Sequence, residues 1–152
     1  MKVQGTASLP APRQQVWDLL NDPERLARLL PGAERLEPDG PDRYKVQMKF
    51  GIAAFSGKFQ GSVELAEKKP PESLKMRVDG RGAPGFMKGE GTLSLREKSG
   101  VTEVRYEGEA QVGGVIASVG QRMIDAASKK IIQQFFDAAA VELKGSAGSR
   151  RH

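Results

Sequence analysis

Residues 115–143, VIASVGQRMIDAASKKIIQQFFDAAAVEL, decide the fold. Apolar residues recur at Ile116, Val119, Met123, Ala126/Ala127, Ile131, Phe135 and Ala138/Ala139, beside a second row through Ile124, Ile132, Phe136, Ala140 and Leu143. Steps of three and four residues place both rows on one wide face of an α-helix. Gln121, Arg122, Asp125, Lys129, Lys130, Gln133 and Asp137 fall on the opposite face, where water can reach them. Gly113-Gly114 precedes the run and Gly145 follows it, so the pattern predicts one helix over 115–143 with a breaker at each end. Its apolar face is too broad for a two-stranded coiled-coil seam. Burial against a sheet suits it better.

The upstream chain supplies that sheet. Lys2 to Ser8 reads as a strand, ended by Pro10-Ala11-Pro12. Val16, Trp17, Leu19 and Leu20 then mark a short helix, for which Pro12 suits the first turn. Asp22 can cap and Pro23 can open a second short helix through Leu30, closed by Pro31-Gly32. From Ala33 to Val112 the texture is strand-like. Tyr44, Val46, Met48 and Phe50 alternate with polar residues, as do Phe59, Val63 and Leu65, then Leu74, Met76 and Val78, then Leu93 and Leu95, then Val104, Tyr106, Ala110 and Val112. Connections such as Pro38-Asp39-Gly40-Pro41 and Lys98-Ser99-Gly100 are too short for parallel crossovers, so the strands are antiparallel. The expected class is α+β: a curved antiparallel sheet of about seven strands wrapped around a long C-terminal helix, with two short helices after the first strand.

At 152 residues the chain fits one domain, expected over 1–144, with 145–152 as a flexible basic tail. There are no cysteines, which excludes disulfides and thiolate metal sites. The net charge of +5 includes Arg150 and Arg151 of the tail, and the remaining basic residues are interleaved with acidic ones. That pattern describes a solvated surface rather than a nucleic-acid patch. No apolar signal segment opens the chain, and no run approaches the ~18 apolar residues of a membrane span, so a cytoplasmic protein is expected.

Chemistry-bearing groups are sparse. The single histidine, His152, sits in the tail, which leaves a His-based triad or metal site without support. Glu107 and Glu109 share one side of a strand opposite Tyr106 and read as solvated. Gly80-Arg81-Gly82-Ala83-Pro84-Gly85 lacks the Lys-Ser/Thr ending of a phosphate loop and reads as a mobile loop, with Phe86 and Met87 at its end. These two either pack at the sheet edge, close over a pocket, or touch a membrane or partner. Gly61, Gly80, Gly89, Gly91 and Gly108 fall at inward strand positions, where they either bend the sheet or leave room for a cavity. Given a cavity, alternation and the helix face would line it with Met48, Phe50, Phe59, Met76, Phe86, Leu93, Tyr106, Val119, Met123 and Ala127.

Several segments together resemble a known family. They are Pro10-Ala11-Pro12 with Val16-Trp17, Asn21-Asp22-Pro23-Glu24 with Leu26 and Pro31-Gly32, Gly57-Lys58-Phe59-Gln60-Gly61, and Gly85-Phe86-Met87-Lys88-Gly89. The most specific is Gln111-Val112-Gly113-Gly114-Val115-Ile116-Ala117-Ser118-Val119-Gly120-Gln121-Arg122, at the junction of last strand and long helix. The chain is similar to the carbon monoxide dehydrogenase G-subunit family, within the START-like helix-grip (SRPBCC) superfamily, over about 1–144. The resemblance implies a non-catalytic accessory protein without cofactor or metal. It further implies an apolar ligand, lipid or quinone, between sheet and helix. The implied partner is a molybdenum hydroxylase of carbon monoxide dehydrogenase type, brought to the inner face of the cell membrane. The basic tail offers charge to anionic lipids but no apolar face to insert. Two other readings stay open. A helix-grip cyclase or hydrolase would need polar groups converging in the cavity, from Tyr106, Tyr44 and Gln60. An interaction module would have a filled core and an exposed apolar patch.

Overall fold

The computed structural model describes residues 1–51 and 56–150. The chain runs β1 (Lys2–Leu9), α1 (Arg13–Leu20), α2 (Pro23–Leu29), β2 (Ala33–Pro38), β3 (Arg43–Phe50), β4 (Gly57–Lys69), β5 (Ser73–Gly82), β6 (Gly85–Lys98) and β7 (Val101–Gly113). A 3-10 segment (Gly114–Val119) then leads into α3 (Gln121–Arg150). The strands form one seven-stranded antiparallel sheet in the order β1-β7-β6-β5-β4-β3-β2. Only the pairing of β1 with β7 joins strands distant in sequence, and it brings the N-terminus beside the last strand. The sheet curls around α3 as the alternation predicts.

Local chemistry explains the junctions. The Asp22 carboxylate accepts from the backbone N–H of Glu24 at 3.1 Å and of Arg25 at 3.4 Å, with Pro23 opening α2, so two orphan donors of that helix are satisfied. Ser99 and Gly100 both take positive φ between the paired residues Lys98 and Val101, the two-residue turn whose twist matches a hairpin. The core joins α1 and α2 to the sheet through Val16, Leu19, Leu26 and Leu29, packed with Val63, Leu74 and Val104.

One polar side chain is sealed into this core. Thr102 is fully buried, and its hydroxyl donates to the Ala11 carbonyl at 2.7 Å, fastening the segment before α1 to β7. Thr102→Val keeps the shape but leaves that carbonyl unpaired. The expected cost is about 1–3 kcal/mol, read as a lower urea midpoint with an unchanged slope.

Three sequence expectations are corrected. The helix does not begin at Val115: residues 114–119 form a 3-10 segment, and Gly120, at φ 97°, separates it from α3. Nor does Gly145 end the helix, which continues to Arg150; a lone glycine costs only about 1 kcal/mol in a helix and need not stop it. The expected tail is thus helical up to Arg150, while Arg151 and His152 lie outside the described residues. Finally, residues 80–85 are not a loop. Arg81 pairs with Phe86 and Gly82 with Gly85, leaving Ala83-Pro84 as a two-residue turn.

Candidate functional site

α3 is anchored at two places. Near its start, the Gln121 amide donates to the Met1 sulfur at 3.2 Å, beside β1. Further along, Glu142 faces Arg28 at 3.4 Å and Arg25 at 3.8 Å on α2. Between the anchors the helix spans a cavity of about 270 Å³ against the concave face of the sheet. Ser128, Ile131, Ile132, Phe135 and Phe136 form its helix wall. Met48, Phe50, Met76, Val78, Met87, Leu93 and Tyr106 form its sheet wall, and Val3, Leu30, Pro31 and Val112 complete it. Lys88, Glu90, Glu109 and Gln111 also border it, but their side chains are exposed on alternate strand positions.

The sheet wall has an aromatic brace. Tyr106 stacks on Phe136 with ring centroids 5.4 Å apart and planes at 26°, while Phe135 meets Phe136 edge-on at 5.2 Å and 86°. Beneath it lies Gly5, the cross-strand partner of Tyr106, where an added Cβ would fall 2.7 Å from the tyrosine Cζ. Glycine at position 5 is what lets the phenol ring lie flat on β1.

Of the ten residues expected on the wall, Met48, Phe50, Met76, Leu93 and Tyr106 line the cavity. Phe59 is buried one layer away, edge-on to Phe50 at 5.7 Å, and Ala127 is buried in the core at 3% exposure. Phe86, Val119 and Met123 are on the surface, at 40%, 44% and 46% exposure. The reasons are specific. On β6 the period of two that turns Leu93 inward also turns Met87 inward and Phe86 outward. Val119 and Met123 fall on the wall only if one helical period runs across Gly120, and the break there resets the phase. The helix wall is legible in the spacing of Ile131, Ile132, Phe135 and Phe136; taking Gly120 as the breaker moves the choice one to two turns along α3.

A larger depression, about 480 Å³, lies on the outer sheet face and is lined by charged residues. Arg77 donates to Glu64 at 2.8 Å and to Glu90 at 3.1 Å, and these hydrogen bonds raise its pKa. Its charges are mutually satisfied, exposed and screened, and such pairs contribute little. The smaller, apolar cavity walled by two kinds of element is the better ligand site.

Catalytic groups do not gather there. Burial first, then the Asp42 and Asp22 carboxylates, raises the Tyr44 pKa, and a hydrogen bond from Lys75 first lowers that of Glu67. Neither residue borders the cavity. Gln60 is exposed, not converging with Tyr106 and Tyr44. Among the described residues no group of three His, Cys, Asp or Glu side chains could hold a metal ion. No helix among them is long and apolar enough to cross a membrane.

Comparison with solved structures finds the same architecture. A conserved protein from Geobacillus kaustophilus is 35% identical with a TM-score of 0.92, over 96% of this chain and 97% of that one. A START superfamily protein from Mycobacterium smegmatis is 11% identical with a TM-score of 0.74, over 95% and 97% of the two chains. A Streptomyces aromatase/cyclase is 17% identical with a TM-score of 0.65, over 95% and 93%. At these last two identities the likeness concerns the fold alone. Comparison with curated protein sequences gives no match. Residues 5–144 match the family of the carbon monoxide dehydrogenase G subunit (CoxG). With the match spanning strand β1 to the end of the packed helix, the chain belongs to the carbon monoxide dehydrogenase G-subunit (CoxG) family, on a START-like helix-grip fold.

Proposed function

We propose that the protein is a non-catalytic accessory that carries an apolar small molecule, a lipid or quinone, in the cavity between sheet and α3. In this reading it serves a molybdenum hydroxylase of carbon monoxide dehydrogenase type, coupling that enzyme to the membrane from the cytoplasmic side. The observation that carries the proposal is the cavity itself: apolar on both walls, without convergent ionisable groups. Three methionines on its sheet wall, Met48, Met76 and Met87, are flexible enough to repack around a guest. The family supplies the enzyme partner.

The surface near one end of the cavity supports transient membrane contact. Met87 and Val112, which pair across β6 and β7, line the cavity; the adjacent pair, Phe86 and Gly113, begins an exposed apolar stretch. Phe86 lies against Gly113, and Val115, Val119 and Met123 are exposed with it. Exposed apolar clusters of this kind mark interaction surfaces.

Binding is tested with a naphthylamine dye that fluoresces in apolar surroundings, displaced by a fatty acid or a short-tailed quinone. Ile132→Arg places a guanidinium on the helix wall and is expected to weaken dye uptake about tenfold or more, with circular dichroism unchanged. No uptake by the folded protein, or uptake indifferent to Ile132→Arg, would contradict the reading.

A further inference from the structure

The inward glycines of the sheet are not alike. At Gly61 and Gly108 a Cβ would collide with a neighbouring strand, on the carbonyl oxygens of Asp79 and Glu90 respectively. Close strand approach therefore accounts for both. Gly89 and Gly91 on β6 differ. Neither has positive φ, so an L-residue fits the backbone. A Cβ at Gly89 would meet nothing nearer than the Glu109 carbonyl oxygen at 3.5 Å, an ordinary contact. At Gly91 the nearest atom is the Glu107 carbonyl oxygen at 3.3 Å, which needs a shift of a few tenths of an ångström. For both, every close neighbour belongs to β7, and nothing from α3 comes as near. Both glycines border the apolar cavity.

Glycine inside a strand is unfavourable, through lost chain entropy and the missing side chain. Here neither backbone geometry nor packing asks for it. What glycine provides at these positions is empty space above the β6 backbone. Their β7 partners are also small: Gly89 pairs with Ala110 and Gly91 with Gly108. The four residues make a bare patch of peptide backbone two strands wide and two residues long, roughly 5 by 7 Å. Around it stand Met76, Val78 and Met87 on the sheet, with Ile131 and Phe135 across the cavity on α3.

Resting on the carrier reading above, we infer that Gly89 and Gly91 set the depth of the cavity and determine its specificity, the guest being a molecule whose flat ring lies face-on against this patch. Peptide planes offer a flat floor that a ring contacts over its whole face, whereas a single acyl chain contacts it along one line. The patch has the footprint of a six-membered or fused bicyclic ring. A side chain at either position would fill the space that the ring occupies.

The test compares two probes, a short-prenyl naphthoquinone and oleate, on wild type, Gly89→Val and Gly91→Val, with Gly89→Ala as a milder variant. The valines are expected to weaken quinone binding about tenfold or more and oleate binding by no more than about threefold. Gly89→Ala should lose quinone affinity by a smaller factor. Melting temperatures should hold or rise by a few degrees, because β-branched residues and alanine suit a strand better than glycine. Should a valine variant fail to fold, Gly89→Ala carries the test alone. Unchanged quinone binding in the variants, or equal loss for both probes, would overturn the inference while leaving the carrier reading standing. A folded wild type that binds neither probe would overturn both.

Discussion

Phe136→Ala is expected to destabilise the protein by about 3–5 kcal/mol and to lower its melting temperature by roughly 10 °C. Phe136 is buried where α3 meets the sheet, and it holds both aromatic contacts of the site, the stack on Tyr106 and the edge-on contact with Phe135. Truncation removes the transfer free energy of the ring. The void it leaves joins an existing cavity, so the surroundings have little to collapse onto. It also frees Tyr106, which is held flat between Phe136 and Gly5. Phe136→Leu, which keeps an apolar side chain at the position, should recover more than half of the loss. Thermal and urea unfolding of the three proteins would check this, and an alanine variant as stable as wild type would show that the aromatic brace does not hold the helix.

Gly61→Ala should be nearly as damaging, although it adds a single methyl group. The new carbon would fall on the Asp79 carbonyl, with the Gly80 Cα 2.8 Å away, and these are backbone atoms of the paired strand. No rotamer change relieves the clash; β4 and β5 must separate or break their register. A cost on the order of 3 kcal/mol or more is expected, toward the upper end of overpacking effects, with a fall in melting temperature of about 10 °C. The informative control is Gly89→Ala, the same chemical change at an inward strand position with room. It should be neutral or stabilising. Equal destabilisation by both substitutions would mean that curvature alone explains the glycines.

Much of this fold can be read from periodicity, because one buried face imposes a period of two on each strand. Tyr44, Val46, Met48 and Phe50 are all buried, as alternation requires, and Ser99-Gly100 marks its hairpin turn correctly. Asp22-Pro23 likewise announces the start of α2. The helix boundary is harder. Gly113-Gly114 and Gly120 are all breaker signals, and only tertiary packing decides that the six residues between them form a 3-10 segment. That shift of five to six residues in the start of α3 carries Val119 and Met123 from the expected wall to the surface.

The site is therefore legible by halves. Strand parity on β3, β5 and β7 brings Met48, Phe50, Met76 and Tyr106 to the cavity, and Leu93 follows on β6. Phe86 breaks the same rule, since it and Leu93 stand at positions of opposite parity on β6, where Met87 is the inward residue. Ile131, Ile132, Phe135 and Phe136 are recognisable as an apolar face but not as a wall, since spacing does not say which turn of a long helix stands over empty space. The glycines carry the same ambiguity. Whether a strand glycine bends the sheet or clears a cavity depends on what its missing Cβ would touch. For Gly61 and Gly89 the answers are opposite.

The central claim, an apolar guest between sheet and α3, is tested most directly by mass spectrometry of an organic extract of the protein, purified gently from its native host. The account predicts one ring-bearing apolar compound at close to one per chain, lost from the Ile132→Arg variant purified in parallel. An extract that stays empty, even after the protein has been incubated with the host's membranes, would contradict it.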